Sequence, residues 1–236
     1  MKRNVIKVAM GVLVAVVMLA GCGGGGDGIP IILSTPTPAG TAVSMVPFKG
    51  YFCGKAAAGS ELSFSLTGSD TSGNAWTGSL KVVSDGTTVF EGNNVTASRG
   101  IATVKLTSTG ASATATTTTY FLTSNGNLYK GVDSSGATGV PISQSLFADT
   151  VLVGDFGNLW VINYSDGISV SSTWKLEADN NGNSKLIISS INKNANNSVI
   201  SLEDDTYYLD SAGNPYRLSM TTTIGSTTVT LSGNKN

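Results

Sequence analysis

Apolar residues alternating with single polar ones recur in short stretches throughout this 236-residue chain, and that two-residue period constrains its fold more than any other feature. Leu62, Phe64 and Leu66 alternate with Ser63 and Ser65, which puts three apolar side chains on one face of a strand. The period returns in Ala102, Val104 and Leu106, in Trp174 and Leu176, in Leu186 and Ile188, and in Val229 and Leu231. Between these stretches lie Gly, Asn, Asp and Ser, the residues of tight turns, while Thr and Val favour the pleat. No stretch carries a sustained helical stripe with good caps, although Ile142 to Asp149 suggests one short turn or helix. The expectation is an all-β fold: an antiparallel meander closed into a barrel, curved into an open sheet, or packed as a sandwich.

The tract from Ala111 to Thr119 is low in complexity, but it runs into Tyr120-Phe121-Leu122 and reads as a long strand after a turn near Gly110. A Gly-Asn-x-aromatic sequence occurs four times, ending at Trp76, Tyr129, Trp160 and Tyr216. Gly and Asn suit a hairpin turn, and the aromatic residue would begin the next strand. Trp76 and Trp160 are 84 residues apart and Tyr129 and Tyr216 are 87 apart. The stretch Thr119 to Lys130 resembles Thr206 to Arg217, and Ser84-Asp85-Gly86 matches Ser165-Asp166-Gly167 as a further turn. These pairings predict an internal duplication, with halves at about 60–145 and 146–233, each a meander of about six strands. The intervals are too uneven for propeller blades. A lipid-facing pore is disfavoured, because the strands lack long apolar-out stretches and aromatic girdles.

At the amino end, Lys2, Arg3 and Lys7 precede an uncharged run from Val8 to Ala20, the pattern of an export signal. Its 13 residues fall short of the roughly 17 to 25 that a permanent membrane helix wants. The run ends in Leu19-Ala20-Gly21-Cys22, which resembles the bacterial lipobox. That resemblance implies lipid transfer to the Cys22 thiol, cleavage after Gly21, and acylation of the new amine. The acyl chains would hold the protein on a membrane, each buried methylene contributing about 0.8 kcal/mol. Gly23 in place of Asp implies the outer membrane, with the periplasmic face expected and surface exposure open. The organisation expected is a signal peptide at 1–21, a lipidated Gly- and Pro-rich tether at 22–47, and a β domain at 48–236. The apolar patch Ile29 to Leu33 could instead dock onto the domain or the bilayer. With Cys22 lipidated, Cys53 has no partner within the chain, so an intramolecular disulfide is excluded and Cys53 reads as a small buried side chain.

Loss of the signal leaves 11 basic against 15 acidic residues and no basic cluster, so nucleic acid is not an expected partner. The chain has no histidine, which removes Ser-His-Asp and Cys-His catalysis and the usual imidazole metal sites. No phosphate-binding or dinucleotide fingerprint appears, and no cofactor is expected. Carboxylates remain: Glu91, Glu177, Glu203, Asp204 and Asp205 are the candidates for a glycan hydrolase, which needs two of them facing each other in a cleft. Asp179 to Asn183 and Glu203-Asp204-Asp205 also offer oxygen ligands to calcium, without the full twelve-residue loop pattern. Trp76, Tyr129, Trp160 and Tyr216 are the candidate aromatics of a ligand groove, against the plainer reading that they plug the core. The expected function is a non-catalytic structural or binding module of the cell envelope, anchored through its lipid and meeting an envelope protein, a glycan or an apolar ligand. A carrier or chaperone for hydrophobic cargo is the alternative, and a carboxylate-dependent glycan hydrolase the third reading.

Overall fold

A computed structural model describes residues 40–145 and 148–236. The proposed signal peptide, Cys22 and most of the tether lie outside the described residues. The strands are β1 (Ala42–Ser44), β2 (Glu61–Asp70), β3 (Ala75–Phe90), β4 (Asn93–Leu106), β5 (Ser112–Leu122), β6 (Leu128–Asp133) and β7 (Thr138–Gln144). They continue as β8 (Thr150–Leu152), β9 (Phe156–Tyr164), β10 (Ser169–Ala178), β11 (Ser184–Lys193), β12 (Val199–Leu209), β13 (Pro215–Ile224) and β14 (Thr227–Asn234). One helix, α1 (Val46–Phe52), precedes β2. Twelve strands form a closed antiparallel barrel; β1 and β8 make a separate two-stranded sheet. Of the three β architectures the alternation allowed, the chain adopts the barrel.

Neighbours in sequence are neighbours in the wall, so the barrel is a meander of β2 to β7 followed by β9 to β14, six strands each. Two seams join these runs: β7 against β9, and β14 against β2 with Val229 opposite Asp70 and Ser232 opposite Thr67. The alternating residues behave as their period demands. Leu62, Phe64, Leu66, Leu80, Leu186, Ile188 and Leu231 are buried in one core. The outer wall is instead lined by hydroxyls, several paired across strands: Thr103 with Thr114, Thr221 with Thr230, and Thr223 with Thr228. Such pairs stabilise adjacent strands by a few tenths of a kcal/mol to about 1. Apolar inside and polar outside is the reverse of a lipid-facing barrel.

The helix straddles the expected boundary between tether and β domain, with Val46 and Pro47 on the tether side. Pro47, read there as a stiffener, occupies the first turn of α1, where its missing N–H costs nothing. Ala42 to Ser44 pair with Thr150 to Leu152, so the folded unit includes residues ahead of Phe48. Ile142, conversely, belongs to strand β7 rather than to a helical turn. Phe48 and Phe52 stack at 4.2 Å and both meet the edge of Tyr207, at 5.1 and 5.2 Å. Tyr207 also meets Phe64. Because Tyr207 and Phe64 point into the lumen, α1 plugs that end of the barrel, and each buried Phe contributes about 1.5–3 kcal/mol of transfer free energy.

The plug's polar backbone is matched by the wall. Ser98 donates to the Tyr51 carbonyl, Thr96 to that of Cys53, and Ser84 to that of Ala56, at 2.7 to 2.8 Å. The first two hydroxyls serve carbonyls at the helix's carboxyl end, and Ser84 serves one in the segment that follows. Lys49 is buried and its ammonium pairs with Asp149. Gly54 closes the motif at φ +63°, and a Cβ there would lie 2.1 Å from the Ala97 carbonyl oxygen, so only glycine fits.

Cys53 is fully buried, as expected, but it is disulfide-bonded rather than a free thiol. This corrects the expectation that it packs as a reduced side chain. The chain has only one other cysteine, Cys22, and one sulfur can carry either a lipid or a disulfide.

The repeated turn divides on inspection. Gly73, Gly126 and Gly213 have φ between +73° and +83° and lie in hairpin turns, between β2 and β3, β5 and β6, and β12 and β13. Gly157 does not: it sits within β9, where a Cβ would come within 3.0 Å of the Trp174 indole nitrogen. Tyr129 and Tyr216 occupy corresponding places, each near the start of the fifth strand of its run. Trp76 and Trp160 do not correspond, since one lies on the second strand of its run and the other on the first. Ser84-Asp85-Gly86 is likewise a register shift inside β3 and its counterpart a turn between β9 and β10.

Candidate functional site

The chemistry-bearing residues of the lumen gather on β12 and its neighbours, running from Tyr207, which touches the plug, toward the opposite end of the barrel. Ser201, Glu203, Asp205, Tyr207 and Leu209 all face inward, while Leu202 and Asp204 are exposed. Tyr207 and Leu209 anchor the phase of the strand by packing in the core. A two-residue period then carries Asp205 and Glu203 inside as well. Across β11, Glu203 faces Ser190, Asp205 faces Ile188, and Ser201 faces Asn192. Across β13, Glu203 faces Thr222 and Asp205 faces Met220. Ser172 on β10 completes the belt through a 2.8 Å hydroxyl contact with Ser190.

The belt is rich in oxygen acceptors. Asn192 donates its amide to Ser201 Oγ at 2.9 Å, and its own Oδ1 has no donor. Both carboxylate oxygens of Glu203, Asp205 Oδ1 and the Tyr207 hydroxyl are also buried with no donor from the rest of the protein, and the two carboxyls lie close enough to share a proton with each other. A buried polar atom left unmatched costs about 1–3 kcal/mol, so this is the most expensive polar region of the fold. Burial, reinforced by the charge of and the hydrogen bond to Asp205 two residues along the strand, holds Glu203 far above the usual carboxylate range. Burial pushes Asp205 up to about 7. Burial, then the two acids, also raises Tyr207. Near neutrality the pair therefore retains protons that exposed carboxylates would have lost.

A recess of about 370 Å³ lies at the end of the barrel nearest this belt. The β9–β10 and β11–β12 turns form it, with Asn163, Tyr164, Ser169, Asn194 and Asn197 among its lining. It is next to the belt because Val170 pairs with Asn192, and the recess residues Ser169 and Asn194 lie one and two positions from them along the chain.

The four candidate groove aromatics fall in two settings. Trp76 and Trp160 are 3 % and 2 % exposed and belong to the core, the plainer of their two readings, rather than to an open groove. Trp76 donates its indole N–H to Asp70 at 3.1 Å, whereas the Trp160 indole nitrogen has no acceptor. Tyr129 and Tyr216 are on the wall. The Tyr129 hydroxyl donates to Glu91 at 2.8 Å, and its ring meets the edge of Phe90, which stacks on Tyr120 at 3.9 Å. Tyr216 lies beside Tyr208, whose ring carries the Arg217 guanidinium at 4.8 Å.

The remaining carboxylate candidates separate in the same way. Glu91 accepts from Tyr129 and Lys130, Glu177 pairs with Lys175 at 2.7 Å, and Asp204 accepts from Ser189 on the outer wall. The Glu203-Asp204-Asp205 triplet therefore cannot act as one ligand set, because a strand sends its middle residue to the opposite face. Asp179 is already engaged by Lys185 at 3.3 Å and by Tyr216 at 3.4 Å. No group of three or more His, Cys, Asp or Glu residues suited to a metal occurs among the described residues. No family model matches the chain, and no curated protein matches it in sequence.

Proposed function

We propose that this chain is a lipid-anchored, non-catalytic module of the cell envelope, held on the outer membrane through the Cys22 sulfur in molecules where that sulfur is not bonded to Cys53, and presenting a closed β-barrel to the compartment beyond. The observation that carries the reading is the barrel's polarity: a Ser- and Thr-rich wall around a core of buried apolar side chains suits a domain that stands in water beside a membrane. The same polarity speaks against a pore. The two runs of six strands are read as copies of one ancestral unit, with the Tyr129 and Tyr216 hairpins as its clearest trace.

Against hydrolysis stands the burial of Glu203 and Asp205, which a glycan chain cannot reach without opening the wall. Against a carrier stands the occupation of one end of the lumen by Phe48 and Phe52. Binding of an envelope partner then falls to the wall, where the Phe90–Tyr120–Tyr129 and Tyr208–Tyr216–Arg217 clusters offer rings and charge.

The anchor is tested by growing cells on labelled palmitate. Cys22→Ser should abolish labelling and leave the precursor uncleaved, and label persisting in that variant overturns the reading. Intact mass of the native protein separates the two uses of the Cys22 sulfur: a lipidated amino terminus supports the anchor, and an acyl-free chain with a Cys22–Cys53 disulfide refutes it.

A further inference from the structure

The belt contains two acids, an amide and several hydroxyls, and its unmatched atoms are predominantly acceptors. Glu203 supplies two such oxygens, Asp205 one and Asn192 one, all from side chains that are 3 %, 2 % and 0 % exposed. Asn192 is the independent pointer. Its nitrogen is committed to Ser201, so its Oδ1 is turned away from that bond, on the lumen face that it shares with Glu203. A buried amide oxygen beside two carboxylates is a costly arrangement for packing alone. A proton shared between the two carboxyls matches only part of this set, and what the remaining oxygens lack is a positive partner.

We infer that Glu203, Asp205 and Asn192 form an internal site for a calcium-sized hard cation, completed by the hydroxyls of Ser190, Ser201 and Thr222. The donor set carries the chemistry. Calcium takes six to eight oxygens and accepts carboxylates, amide carbonyls and neutral oxygens in irregular geometry, whereas magnesium demands a near-ideal octahedron and keeps its waters. Two carboxylates balance the ion's charge. The charged groups acting most on the pair are each other and Asp204, which lies on the opposite face. Ser190, Asn192, Ile188, Thr222 and Met220, which face the pair from the flanking strands, do not titrate. The recess lined by Asn163, Asn194 and Asn197 opens at this end of the barrel.

The test uses the full chain purified from its own cells, unfolded in urea with a chelator to strip it, and refolded with calcium, magnesium or ionic-strength-matched sodium. Metal content by mass spectrometry and Tm are then measured at pH 8. One calcium per chain is expected, with Tm higher by about 5–10 °C at one hundred times Kd and little response to magnesium. Glu203→Gln, which keeps shape while removing a charge, should lose both the ion and the shift. Asn192→Ala provides a second variant that should weaken binding, should the first fail to refold. No retained calcium and no shift in the refolded wild type overturns the inference. So does equal stabilisation by magnesium, or calcium bound undiminished by both variants. A chain that retains its lipid yet ignores calcium refutes the site and leaves the envelope reading standing.

Discussion

Replacing Asp205 with Asn gives the sharpest test of the buried pair's electrostatics. In calcium-free buffer the folded Asp205 holds its proton up to about pH 7, whereas the unfolded carboxyl releases it near 3.8. The folded state therefore binds more protons between these values, and stability falls as pH rises through that window. The contribution is fully present below about pH 4 and lost above about pH 7. A difference of roughly three pH units at about 1.4 kcal/mol each gives a loss on the order of 4 kcal/mol, shared with Glu203 because the two titrate as a pair. Asp205→Asn removes one charge and retains size, so its stability should decline less across the same range. Urea unfolding followed by tryptophan fluorescence at half-unit steps from pH 4 to 8 measures both curves. At pH 8 the variant should unfold at the higher urea concentration, by an amount smaller than the full 4 kcal/mol because Glu203 shares it. Parallel curves for the two proteins would refute the assignment, because every other titrating group is common to both.

Truncating the plug should be severe. Phe52→Ala removes contacts with both Phe48 and Tyr207 and should cost about 3–5 kcal/mol, read as a lower urea midpoint with unchanged slope. Gly213→Ala puts a methyl 1.8 Å from the Ser44 carbonyl oxygen at φ +83°. It should detach β1 from the β12–β13 turn, seen as faster amide exchange at Ala42 to Ser44 with the barrel strands still protected. Asp210 organises that turn. Burial raises its pKa, but hydrogen bonds from Asn214, Ala212 and Gly213 together outweigh this and hold it below 3.8. Its contribution should be present above pH 4 and fade as pH falls through the lowered value, and Asp210→Ala should cost about 1 kcal/mol at pH 7.

The barrel was legible where one face is purely apolar. Leu62-Ser-Phe-Ser-Leu66 leaves one way round for a strand, and the Thr-rich tract before Tyr120 takes its expected place as β5. Closure was not legible, because it depends on β14 finding β2 across some 160 residues of chain, and neither strand carries a local sign of that partner. The plug escaped notice for a different reason. Seven residues are too few to show a helical stripe, and Val46-Pro47 resembles tether as readily as a helix start. The inward acids were within reach: Tyr207 and Leu209 set the phase, and counting back by two reaches Asp205 and Glu203. The rule that charge faces water assigns them the other way, and long-range pairing overrode it. Trp76 and Trp160 misled through a shared tetrapeptide, since Gly157-Asn158 lies in a strand whose conformation is imposed by its partner β10.

The seam between β14 and β2 dictates when this molecule can become itself. Synthesis delivers β2 early and β14 late, so an emerging chain holds a growing ribbon with an unclaimed edge until Val229 to Ser232 arrive. Such edges invite foreign strands and proteases. Maturity is thus a single late event, and a nascent chain cut anywhere before Val229 remains an open ribbon.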